Sequence, residues 1–498
     1  VNLSLVSHTN AGKTTLVRTL LTRDVGEVRD AAHVTEIATG YVMLQAGSDA
    51  LMLWDTPGFG DTARLLRRLK QSNNPVGWFL SQVWDRFRER PLWSSQQAVR
   101  NARDQADVIL YLVNAAEDPA DAAYVSLEME ILDWIGKPVV LLLNQLGPPG
   151  PDTNQEVERW TRHLASSRVV QGALTLDAFA RCWVQEGTLL EAVAPLLVPA
   201  KQAALSRLSE AWRERNLARF RQSIGILAEW LAGVATDREQ VTERDWRDRM
   251  GDTLKVLRRE EPAETRRAMG KLAERLEAST RRSTERLIEA HNLSGRATRE
   301  VLRRLHDDYA SSGPAREGYA AVLGGLMSGA VGGLAADVAA GGLTLGGGMI
   351  VGGLLGALGA TGAARTYNMA RGEEANAVRW SEAFFSDLVR SALLRYLAVA
   401  HFGRGRGEWE ESEHPAFWRD VIAETMKTHT VEIQSVWEAG KRESTANLSA
   451  TLGIVLASCA AEVLTRLYPE AHTILAAEIR NQVGNSGISQ DPPIPYFR

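Results

Sequence analysis

The sequence predicts an α/β domain with a mostly parallel sheet over residues 1–200, followed by a mainly α-helical domain over residues 201–498. Three observations predict it. Short apolar runs alternate with amphipathic stretches through the first 200 residues, the rhythm of strands joined by crossover helices. The texture then changes to long, charged, helix-forming stretches such as AALSRLSEAWRERNLARFRQSIGILAEWLAG, with few strand signals. Finally, 498 residues exceed what one hydrophobic core ordinarily organises.

The candidate strands are residues 3–6, 40–45, 50–54, 108–114, 138–144 and 169–174, each a short apolar run bounded by turn residues. Between the third and the fourth lies a long helical insert, about residues 59–105, carrying Trp78, Trp84, Phe87 and Trp93; a segment of that length reads as a lid or a docking surface. A formal charge of −4 removes any global nucleic-acid signature, so local charge carries more information than the total. Two distant cysteines, Cys182 and Cys459, give no metal spacing and fit buried fillers in a reducing compartment. Val1 already stands within a strand-like run, which reads as a trimmed N-terminus.

The chemistry concentrates in two motifs. The first strand runs into SHTNAGKT, residues 7–14, and then into the helical run TLVRTLL. A strand, a loop ending Gly-Lys-Thr and a helix make the context of a phosphate-binding loop. Backbone N–H groups of Asn10, Ala11, Gly12, Lys13, Thr14 and Thr15 would cradle phosphate, Lys13 would reach the β/γ oxygens, and the Thr14 hydroxyl would ligate Mg²⁺. Ser7 replaces the first glycine of the usual pattern. That position contributes only backbone freedom, so serine costs about 1 kcal/mol if its dihedrals are strained and removes no phosphate ligand. The second motif is LMLWDTPGFGD, where a strand delivers Asp55 to hold Mg²⁺ and Gly58 to offer its N–H to the γ-phosphate.

With both motifs in place, about 40 residues apart, the chain resembles the translation-factor-related P-loop GTPases, in the branch containing Era and TrmE. The resemblance implies a P-loop NTPase fold and slow, Mg²⁺-dependent hydrolysis of GTP to GDP. It implies a threonine that closes over Mg²⁺ and the γ-phosphate; Thr35 is the best-placed match and Thr39 the runner-up. Phe59 stands where Ras-like enzymes carry a water-orienting glutamine, which places the chain beside members that stabilise the transition state in another way. Asn10 matches the asparagine that helps bind K⁺ in TrmE-like proteins; it reads equally as a turn residue bonded to local backbone. His8 reads mainly as loop structure. The base-reading Asn-Lys-x-Asp is replaced by Asn144, Gln145, Leu146 and Gly147, so Asn144 and Gln145 remain as base-binding candidates, with Asp177 near the last strand. Without that aspartate the choice of guanine over adenine stays open.

The helical half offers two further features. Between Leu254 and Arg304 stand 14 Lys/Arg against 8 Asp/Glu, either a solvated face with i,i+4 ion pairs or a contact for anionic lipid or nucleic acid. Residues 318–364 hold 16 of the 42 glycines and one charge, Asp337, in two apolar stretches long enough to approach a ~30 Å hydrocarbon core. Glycines at 325, 329 and 333, and again at 348, 352 and 356, give ridges on which helix backbones can touch. The segment reads as a membrane-entering hairpin or as a tightly packed hairpin inside a soluble helical domain, whereas residues 448–464 read as a buried helix. The same arrangement resembles bacterial GTPases whose C-terminal region is known only as a domain of unknown function. The partners expected are therefore GTP and GDP, a membrane lipid or membrane protein, and a second copy of the chain, with nucleic acid as the competing partner and the cytoplasmic face of the bacterial inner membrane as the location.

Overall fold

The computed structural model describes residues 1–22, 25, 37–70, 73–81, 89–146, 153–176, 181–240, 263–293, 367–369, 377–402, 416–469 and 472–475. Thr35, Gly147, Asp177 and the glycine-rich 318–364 lie outside the described residues. The chain divides into two compact units, residues 1–218 with 400–410, and residues 219–399 with 411–498.

The first unit is built on six strands: β1 (Asn2–Val6), β2 (Thr39–Ala46), β3 (Asp49–Asp55), β4 (Val108–Asn114), β5 (Val139–Asn144) and β6 (Val170–Thr175). They lie in the order β2-β3-β1-β4-β5-β6, all neighbours parallel except the hairpin of β2 with β3. The central strands LSLV, VILYLVN and VVLLLN are apolar without alternation because helices cover both faces, and Leu5, Leu110 and Leu141 are fully buried. At the hairpin Gly47 adopts φ 58°, a left-handed turn position that suits glycine.

The covering helices are α1 (Lys13–Leu21), α2 (Thr62–Leu69), α3 (Pro75–Ser81), α4 (Arg90–Asp104), α5 (Ala123–Ile135), α6 (Thr153–His163) and α7 (Trp183–Val193). The described part of the 59–105 segment is helical, but it does not stand apart as a lid. Leu65, Leu66 and Leu69 of α2, Phe79 of α3 and Leu92 and Val99 of α4 join one core with β1, β4 and α5. The helix α4 directly precedes β4 and is fastened to the sheet where Ser4 on β1 donates to Asn101 Oδ1 at 2.6 Å. A long helix, α8 (Pro199–Thr236), begins in this unit, where the Trp212 indole donates to Glu186 Oε2 on α7 at 2.9 Å and Lys201 pairs with Asp107 at 2.5 Å.

In the second unit α9 (Ala263–Ala290), α10 (Glu382–Ala400), α11 (Ala416–Thr428), α12 (Thr430–Ala439) and α13 (Thr445–Leu467) accompany the end of α8. Arg395 of α10, fully buried, donates to Ser283 Oγ at 2.8 Å and Thr284 Oγ1 at 3.0 Å on α9, and its guanidinium lies 4.0 Å over the Trp230 ring. A small antiparallel sheet, β7 (Arg238–Gln240), β9 (Ala377–Trp380) and β8 (Tyr367–Met369), was absent from the sequence reading. Strands of three or four residues carry too little alternation to register. On α9, Lys271 pairs with Glu239, Arg275 with Asp237 and Glu239, and Arg286 with Glu229; these pairs run to other elements, and the i,i+4 kind expected for the basic arm is represented by Arg281 with Glu285 at 3.9 Å. Among the described residues one helix, α13, is long and apolar enough to cross a membrane, and half of its apolar window is buried within the fold. Both cysteines are buried free thiols, and burial pushes each pKa up to about 12, so neither is poised to react.

Candidate phosphate and metal site

The C-terminal ends of β1, β3 and β5 deliver the two motifs and Asn144 to one edge of the sheet, where open α/β sheets place their ligands. The loop from Ser7 to Gly12 then turns into α1. Gly12 caps that helix at φ 89°, a left-handed conformation, and a Cβ there would stand 2.9 Å from Asn144 Nδ2. Both constraints ask for glycine.

Ser7 does not take a left-handed backbone conformation, so the serine is unstrained where the usual pattern has glycine. Its hydroxyl has a task of its own. It is fully buried, accepts from Lys13 Nζ at 2.7 Å and donates to the His8 carbonyl at 2.6 Å, while Lys13 also donates to that carbonyl at 3.2 Å. Burial lowers the Lys13 ammonium to a pKa of about 8 against the opposing pull of Asp55 and Glu128. Among the described residues its hydrogen-bond acceptors are neutral, an arrangement able to receive a multiply charged anion.

Thr14 Oγ1 donates to Asp55 Oδ2 at 2.7 Å, which brings together the hydroxyl and the carboxylate expected to hold Mg²⁺. This hard, all-oxygen donor set fits Mg²⁺ held jointly with phosphate oxygens. No cluster of three or more His, Cys, Asp or Glu occurs among the described residues, and such sites do not need one. Thr39 opens β2 opposite Asp55 in the register, at the same end of the sheet, and is exposed.

Gly58 packs against the phosphate loop so closely that a Cβ would lie 2.8 Å from Thr9 Cα and 2.9 Å from Thr9 N. Two backbone bonds fasten the loops: Phe59 N donates to the Ser7 carbonyl at 2.9 Å, and Thr9 N donates to the Phe59 carbonyl at 3.2 Å. The Phe59 side chain is fully buried in the core, so position 59 supplies packing in place of a water-orienting group. Asn10 is exposed in a turn at φ 67°, a left-handed position that asparagine tolerates, and among the described residues its amide makes no hydrogen bond. Ala11 and Thr15 are buried, and the Ala11 carbonyl accepts from Asn144 Nδ2 at 3.0 Å. Asn144 thus braces the phosphate loop from the end of β5, whereas Gln145 is exposed at φ 64°.

One residue escaped the sequence reading. Glu128 on α5 is fully buried and accepts from His8 Nδ1 at 2.7 Å, from Thr62 Oγ1 at 2.9 Å and from the Tyr111 hydroxyl at 2.6 Å. Its signal was present, since Val125, Glu128, Met129 and Leu132 share one buried helical stripe with a carboxylate in its middle.

Residues 165–453, more than half of the chain, match the family described as a domain of unknown function, DUF3482. The chain belongs to that family. In this DUF3482 protein residues 2–145 also match the 50S ribosome-binding GTPase family, in agreement with a P-loop α/β domain in the first unit. The DUF3482 match begins before β6, ahead of the helical unit. Among solved structures, the chain is similar to Era from Aquifex aeolicus bound to GDP and AlF4⁻, at 18% identity and a TM-score of 0.29 over 40% of this chain and 56% of that one. It is also similar to Era in complex with MgGDPNP and a segment of 16S ribosomal RNA, at 17% identity and a TM-score of 0.29 over 40% and 56%. A third similarity is to NFeoB from S. thermophilus bound to mGMPPNP, at 16% identity and a TM-score of 0.24 over 46% and 70%. The chain therefore spans just over half the length of the Era chains it matches. No match was found among curated proteins.

Proposed function

We propose that this chain is a slow, Mg²⁺-dependent GTPase whose nucleotide state acts on its helical domain at a membrane surface. The observation that carries the reading is the convergence of the buried Lys13 ammonium with the Thr14–Asp55 pair at the end of the phosphate loop. In this account the backbone of residues 10–15 and the Lys13 ammonium bind and orient the β- and γ-phosphates. Thr14 and Asp55, joined by Thr35, hold Mg²⁺, which neutralises charge on those phosphates. The Gly58 N–H takes the γ-phosphate. Asn144 and Gln145 stand as the base-binding candidates, and Asn144 also secures the loop through the Ala11 carbonyl. The unbonded Asn10 amide supports K⁺ as a further charge at the loop, in place of the side chain that Phe59 withholds.

Membrane association rests on the composition of residues 318–364. The test is co-sedimentation of the full chain with anionic liposomes in GTP, GDP, ATP or no nucleotide, with Lys13→Ala alongside. Nucleotide-dependent binding that Lys13→Ala loses supports the reading. Failure to bind any vesicle removes the membrane half, and salt-sensitive RNA binding in its place favours an RNA-associated GTPase. Equal hydrolysis in Na⁺ and K⁺ removes the role of Asn10.

A further inference from the structure

The phosphate loop and the helix that follows the second motif are held on a single carboxylate oxygen. His8 Nδ1 lies 2.7 Å and the Thr62 hydroxyl 2.9 Å from the same Oε1 of Glu128, while Tyr111 occupies Oε2. His8 belongs to the phosphate loop and Thr62 is the first residue of α2. Glu128 itself cannot drift. It is fully buried on α5, and the His8 ring lies against Tyr124 of the same helix at a centroid separation of 4.4 Å. A carboxylate in such surroundings depends on all its donors, because a buried acceptor left without them bears its full desolvation cost. Any movement of α2 that withdraws Thr62 is therefore opposed at Glu128.

The position of α2 matters for turnover because of Phe59. With that side chain in the core, nothing at position 59 can orient water, so the lever left to the second motif is the placement of the backbone at residues 58–60. That backbone is bonded to Ser7 and Thr9 at one end and to Ser95 Oγ of α4 through Gly60, and it runs directly into α2 at Asp61 and Thr62. We propose that Glu128 is a positioning residue for nucleotide hydrolysis: by holding His8 and Thr62 on one oxygen, it fixes the Gly58–Gly60 backbone relative to the phosphate loop. The proposal rests on the reading of the site as a GTPase. Glu128 touches no nucleotide in this role; it acts through Thr62 and the loop.

The test compares Thr62→Val, Thr62→Ser, Glu128→Gln and the double variant Thr62→Val/Glu128→Gln in Mg²⁺-GTP turnover and in equilibrium nucleotide affinity. Valine keeps the volume of Thr62 and removes the hydroxyl. The expected result is a fall in kcat of at least fivefold for Thr62→Val and for Glu128→Gln, with KM and nucleotide affinity within about twofold of the parent. Thr62→Ser restores kcat, and the double variant is no slower than the slower single one, since both act on the same bond, Thr62→Val by removing its donor and Glu128→Gln by removing the charge of its acceptor. If Glu128→Gln does not fold, the valine and serine pair carries the test alone. Parental kcat in Thr62→Val, failure of serine to restore it, or equal losses in kcat and affinity overturns the proposal. A parent chain without GTP turnover overturns the proposed function and this proposal together, whereas a turning-over parent matched by Thr62→Val overturns this proposal alone.

Discussion

Gly58→Ala disturbs the contact between the two motifs more directly than any other single change. A Cβ at position 58 would sit 2.8 Å from Thr9 Cα and 2.9 Å from both Thr9 N and Thr9 Cγ2, closer than non-bonded carbons approach. Two of those atoms are backbone, so the neighbour cannot rotate away and one loop must move. The movement strains the two bonds that join the loops, Phe59 N to Ser7 O at 2.9 Å and Thr9 N to Phe59 O at 3.2 Å. At about 1 kcal/mol for each net hydrogen bond, the local contact loses about 2 kcal/mol. That loss corresponds to about thirtyfold faster amide exchange at residues 59 and 9. Displacement of the Gly58 N–H from the γ-phosphate position lowers kcat by about tenfold or more, because a misplaced donor forfeits its transition-state stabilisation. Hydrogen exchange resolved by mass spectrometry reads the first effect, and phosphate release from Mg²⁺-GTP reads the second. A Gly58→Ala chain with parental exchange at both loops and parental turnover would refute the reasoning.

Three further outcomes follow from the same geometry. Burial holds Lys13 at about 8, below its ordinary value of 10.5, so phosphate finds the ammonium charged below pH 8 and must import a proton above it; nucleotide affinity is about tenfold weaker at pH 9 than at pH 7, with proton uptake in calorimetry, and a flat profile contradicts this. For stability without nucleotide the sign is opposite: the folded pKa is depressed, so the contribution of Lys13 improves as pH rises from about 8 to 10.5, read as a melting temperature that rises across that window relative to Lys13→Met. Asn144→Ala leaves the buried Ala11 carbonyl without this donor, and at about 1–2 kcal/mol it weakens GTP and ATP binding alike by about tenfold, leaving their ratio unchanged; a selective loss of GTP would show instead that Asn144 reads the base.

Much of this fold was legible because its parallel strands are buried on both faces and therefore read as uninterrupted apolar runs, as in VILYLVN and VVLLLN. Lys13, Thr14 and Asp55 were legible because phosphate and Mg²⁺ chemistry ties each residue type to a fixed place after a strand. Glu128 was not, since its partners His8 and Thr62 lie 120 and 66 residues away and only the fold brings them to one oxygen. The role of Ser7 was missed for a related reason. Its spacing suggested a missing glycine, while the structure shows an unstrained serine whose hydroxyl meets the Lys13 ammonium. The segment with the tryptophans reads as a lid or a docking surface because its length exceeds an ordinary crossover, yet Leu65, Phe79 and Val99 bury into the same core as the sheet.

The central claim is that the two loops form a working Mg²⁺-nucleotide site, and phosphate release from GTP by the full chain tests it most directly. The account predicts slow release in Mg²⁺, its loss on chelation of the metal, and a fall of at least about a hundredfold in Lys13→Ala. Release that is absent in Mg²⁺, or that continues unchanged in Lys13→Ala, would contradict it.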